Sequence, residues 1–117
     1  MTDSLRNALA ELLAYEQKRP AIVTAGTEAL GRLYPIALRR TGQGEVVGRF
    51  LLGLYDGSEH RFDLTDLRRL DIGVFEDCMR VLAMDYAPEV EVHRRIPNSN
   101  SVWCQLHDEW GSQAVPQ

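Results

Sequence analysis

An all-α fold is the prediction: one small domain of five to seven short helices packed as an orthogonal array. Three observations carry it. Apolar residues recur at helical spacing in several separate stretches. No stretch alternates apolar and polar residues over enough positions to make a convincing strand. Capping residues, Gly and Pro interrupt the pattern at short, unequal intervals, which does not suit an up-down bundle. At 117 residues one domain is expected, and folding at that length buries roughly 65% of the unfolded chain's surface.

The elements follow in order. Leu5, Ala8, Leu9, Leu12 and Leu13 repeat at helical spacing, so residues 3–19 form an amphipathic helix capped by Asp3 or Ser4 and stopped by Pro20. A second helix opens at Thr27–Glu28 and runs over Leu30, Leu33, Tyr34, Ala37 and Leu38. Pro35 should kink or break it, and Thr41–Gly42 should stop it. A third covers 43–55, with Val46, Val47, Phe50, Leu51 and Leu54 on one side. Asp63 or Thr65 caps a short helix over Leu67 and Leu70. Asp71 caps a longer one at 72–86 with Ile72, Phe75, Met79, Leu82, Ala83 and Tyr86 inward. Pro88 ends that helix and can open another through Val92. Ser101 caps a final helix ending at Gly111. The domain is therefore placed at 1–111, with 112–117 a disordered tail.

Composition narrows the function classes. With 44% hydrophobic and 26% charged residues the chain is too apolar for disorder. A net charge of −4 disfavours a dedicated binder of nucleic acid or anionic membrane, without excluding nucleic acid. Residues 21–55 carry a slight basic excess (Arg32, Arg39, Arg40 and Arg49 against Glu28 and Glu45), and the segments after them are slightly acidic. Cys78 and Cys104 are too far apart for a metal knuckle and read as buried or half-buried free thiols. No signal pattern and no apolar run near 20 residues is present, so a cytoplasmic protein without a membrane partner is expected.

No constellation reads as catalytic. His60, His93 and His107 do not show a zinc spacing. The stretch from Asp56 to Asp63 places Arg61 where a calcium loop needs its glycine. Asp63 and Asp66 sit where helix caps belong. Phosphate-loop, dinucleotide and nucleophile-elbow motifs are missing. A non-enzyme with no cofactor and no metal is expected. A helix-turn-helix around Asp71–Gly73 would put Glu76 and Asp77 against phosphate, which opposes docking.

Two surfaces remain candidates for binding. Trp103, Leu106 and Trp110 form a stripe on the final helix, and Gly44 and Gly48 allow another backbone to approach the third helix closely. Either can serve a partner or self-association, or close the domain on itself. Arg39, Arg40, Arg68, Arg69, Arg94 and Arg95 could converge into a basic patch, though each pair alone reads as charge at a helix carboxyl end.

Taken together, Thr41–Gln43 leading into Phe50–Tyr55, the string Phe62-Asp63-Leu64-Thr65-Asp66-Leu67, and Leu70–Asp71 with Phe75–Cys78 resemble a family. It is a family of small uncharacterised proteins, a domain of unknown function, carried by integrative and conjugative elements and genomic islands of proteobacteria. The resemblance spans roughly residues 27–110. It implies an accessory protein of a mobile element and brings no activity, cofactor or site residue with it. The expected function is a non-enzymatic interaction or structural module, with a nucleic-acid-associated regulator of element maintenance as the alternative.

Overall fold

The first two expected helices are one. In the computed structural model, which describes residues 2–87 and 99–111, α1 runs unbroken from Asp3 to Ala37 with Pro20 and Pro35 inside it. Thr2 caps it, its Oγ1 accepting from the Leu5 amide at 3.3 Å, in place of Asp3 or Ser4. Pro20 removes one amide donor, at a cost of about 3 kcal/mol in a helix interior. Glu16 and Pro20 both face solvent, so water can serve the carbonyl left without that donor. The helix-forming run before Pro20 and the packed segment after it carry the rod across.

The remaining elements are α2 (Gly42–Tyr55), a 3-10 helix η1 (Leu64–Arg69), α3 (Ile72–Asp85) and α4 (Ser99–Trp110). The described residues contain no strand, and the helices pack as a single small domain. Thr41, expected to stop α1, instead caps α2, accepting from the Gly44 amide at 2.9 Å. Asp63 caps η1 through the Thr65 amide at 3.0 Å, as expected. Asp71 occupies the cap position of α3 but makes no capping bond. Gln43 of α2 holds it instead, donating to its carboxylate at 3.0 Å and accepting from its amide at 2.8 Å. The segment through Val92 and the tail 112–117 lie outside the described residues.

The core gathers around the carboxyl half of α1. Ala29, Leu30 and Leu33 meet Val47 and Leu51 of α2, Cys78, Val81 and Met84 of α3, and Leu106 of α4. The strongest packing is α1 on α3. At Gly26 a Cβ would lie 2.6 Å from the Cβ of Met84, so the two helices touch where a side chain is missing. This contact helps set the rotation of α3: Cys78, Val81 and Met84 point inward, while Ile72, Leu82 and Tyr86, expected inside, are exposed.

The molecule is elongated. Its radius of gyration is 16.3 Å, against about 13 Å for a compact chain of this length. Its extents are 56 × 31 × 26 Å, and a 35-residue helix is itself about 52 Å long. The long axis is α1.

Candidate interaction surface

The tryptophan stripe closes the domain on itself. Trp103, Leu106 and Trp110 follow helical spacing along α4 and all three are buried. The Trp110 indole N–H donates to the Ala37 carbonyl at 2.8 Å, fixing α4 to the end of α1. Trp103 meets the edge of Tyr34 at 6.1 Å and stacks on Tyr55 at 5.5 Å. The indole N–H of Trp103 and the hydroxyl of Tyr34 are both buried without a hydrogen-bond partner, and burial raises the Tyr34 pKa above its ordinary value.

Gly48 of α2 is the other half of this seam, while Gly44 lets the turn after α1 pass close to α2. A Cβ on Gly48 would run into the Trp110 ring, and one on Gly44 would run into the carbonyl of Arg39. Five of the residues proposed as a docking surface thus form internal crossings. For Gly48 the reason is geometric: the Trp110 indole can lie flat on α2 only where α2 has no side chain.

The arginine pairs do not form a basic patch among the described residues. Arg40 is bonded to Glu109 at 2.9 Å, and Arg69 to Glu45 at 3.1 Å, with Asp66 at 3.9 Å. The bridges to Glu109 and Glu45 tie separate parts of the fold together, and all three cancel charge that a phosphate would need. Arg39 and Arg68 are exposed; Arg94 and Arg95 lie outside the described residues.

The groups tested for chemistry are likewise placed structurally. Among the described residues no three His, Cys, Asp or Glu side chains gather as a metal would require. His60 is buried with its ring 5.4 Å from that of His107, and His93 lies outside the described residues. The Asp63 carboxyl is held below its ordinary range by the Thr65 hydroxyl and amide, as a capping group is. Burial pushes the Cys78 thiol up to about 12, with the neighbouring Asp77 charge adding to it. Cys104, expected to be at least half-buried, is exposed. Asp77, set against phosphate in the helix-turn-helix reading, is instead clasped by Arg32 at 2.8 and 2.9 Å and by Arg80 at 2.8 Å. These bonds, that of Arg32 first, hold its carboxyl below the usual range.

The exposed apolar surface lies elsewhere. Leu5, Leu9, Leu12 and Leu13 of α1 are 50%, 44%, 55% and 60% exposed. Positions 5, 9, 12 and 16 fall on one face of a helix, and 13 flanks it, so the stripe runs from Leu5 to Glu16. It ends at a shallow cleft lined by Leu12, Tyr15, Glu16, Arg19, Pro20 and Ala87. There Tyr15 meets the edge of Tyr86 at 6.1 Å and the Arg19 guanidinium donates to the Ala87 carbonyl at 2.6 Å. Beyond this clasp, toward the amino end, no described element covers α1. Periodicity finds the face but cannot tell an inward stripe from an outward one.

Residues 27–111 match the model of DUF7673, a family of unknown function, and the chain belongs to that family. No curated protein and no solved structure matches it. The leucine stripe lies on the amino-terminal side of the matched region. Among the described residues no helix is long and apolar enough to cross a membrane.

Proposed function

We propose that this DUF7673 member is a non-enzymatic protein-interaction module, in which the family domain is the scaffold and the amino-terminal half of α1 is the docking element. The observation that carries this reading is the run of four leucines about half exposed on one side of a helix that no described element covers there. Fully burying one such side chain is worth about 1.5–3 kcal/mol, and contiguous exposed apolar surface of this kind marks contact sites. The setting we propose is cytoplasmic, as an accessory protein of a mobile element. Its support is the resemblance carried by Phe62–Leu67.

The test is quantitative capture with the purified tagged chain and with the double variant L9E/L12E. A protein recovered by the parent and lost by the variant, with the helical signal unchanged, is the expected result. Equal recovery of every protein by both, with no self-association of the parent that the variant loses, would overturn the reading. The alternative of a nucleic-acid-associated regulator draws no support from Arg40 and Arg69, which carboxylates already hold.

A further inference from the structure

We infer that the partner for the leucine face is a second copy of the same segment, laid antiparallel so that two α1 arms form a short two-helix seam. The inference rests on the docking role proposed above and names its occupant.

Charge placement selects this occupant and this direction. Glu16 stands on the leucine stripe itself, one helical turn beyond Leu12, so whatever covers the stripe must answer a carboxylate. Arg6 flanks the stripe near its other end. When two arms run antiparallel with Leu9 of each across from Leu13 of the other, Arg6 of each falls opposite Glu16 of the other. A parallel, in-register pair would instead set Glu16 against Glu16 and Arg6 against Arg6, and like charges across a seam oppose association. The segment answers its own charges in only one of the two directions.

Length agrees. The antiparallel register overlaps residues 3–19, about 25 Å of helix. It ends at Arg19, where the Ala87 carbonyl and Tyr86 mark the start of the region that α3 covers. A second arm therefore fits alongside the length that no described element covers, without displacing α3. An anionic bilayer is a poorer occupant, because Asp3, Glu11 and Glu16 balance Arg6, Lys18 and Arg19 and leave no basic excess.

Sedimentation equilibrium of the full chain from about 1 to 500 μM tests this. A monomer–dimer equilibrium is expected. L9E/L12E should weaken it by about a hundredfold or more, since four leucines leave the seam. R6E alone and E16R alone should each weaken it by roughly tenfold, and R6E/E16R together should restore it, as opposite charges again face each other. A strict monomer, a dimer indifferent to L9E/L12E, or a double swap that fails to restore the dimer would each overturn the inference. So would a monomer whose leucines bind vesicles or are shielded by another part of the chain. If the chain is monomeric yet captures a different protein that L9E/L12E loses, self-pairing fails while the docking role stands. If neither occurs, both fail.

Discussion

Asp77 shows how a charge is held in a small helical domain. Its carboxylate is 10% exposed and takes hydrogen bonds from Arg32 on α1 and from Arg80 one turn along α3. Because its folded pKa is depressed, the stability it contributes is complete above the unfolded carboxylate value near 4 and is lost as pH falls through the folded value. Replacing Asp77 by Asn should cost about 1–3 kcal/mol at pH 7. The gap between variant and parent in urea melts should close as the pH drops below about 4, and a constant gap would refute the assignment. Two glycines give a second contrast at this scale. At Gly31 an added Cβ meets nothing within 4 Å, so G31A should stabilise by about 0.5–1 kcal/mol, the ordinary gain of Ala over Gly in a helix. At Gly48 the Cβ would strike the Trp110 ring, so G48A should destabilise by about 1–3 kcal/mol despite the same propensity gain. Thermal melts of the pair should therefore shift in opposite directions.

At the scale of elements, α2 and the Asp63-capped turn were legible in the sequence because local rules decide them. Val46, Val47, Phe50 and Leu51 lie on the inner side of α2 as their spacing requires. Asp63 caps because its side chain reaches the amide two residues on. The fused α1 was not legible, because proline's local cost speaks for a break and the packing that offsets it is tertiary. The rotation of α3 was hidden for a related reason. Its apolar residues surround more than one face, and the choice is made by Gly26 against Met84 and by the Arg32–Asp77 clasp, both long-range. The Trp stripe and the Gly44/Gly48 pair were each visible, but not that Gly48 receives Trp110 while Gly44 receives the Arg39 carbonyl. For α1 the consequence is testable: P20A should restore the missing amide donor and stabilise the helix locally, around residues 16–21, by about 1–3 kcal/mol. Hydrogen exchange at residues 16–21 should slow correspondingly, and unchanged exchange would count against a continuous rod.

For the whole molecule, core and arm are energetically separate. The buried cluster begins at Ala29, with Ile22 and Val23 packed against its border, and the leucines before Tyr15 contribute no buried side chain to it. Removing residues 2–17 should therefore leave the domain folded, with its melting temperature lowered by no more than about 5 °C, roughly the effect of 1 kcal/mol in a domain this size. A loss of cooperative unfolding would show instead that the arm is part of the fold. The candidate site was half legible: the sequence displays the stripe, while its outward direction depends on where α3 stops covering α1.

One consequence of the unbroken α1 is mechanical. The same rigid shaft that carries Leu5 at its free tip also carries Leu33 and the Ala37 carbonyl that anchors the last tryptophan. Tilt imposed by a grip on the outer end is delivered, without a joint to absorb it, to the bond that holds α4 in place. Pro20 is where that shaft would give first.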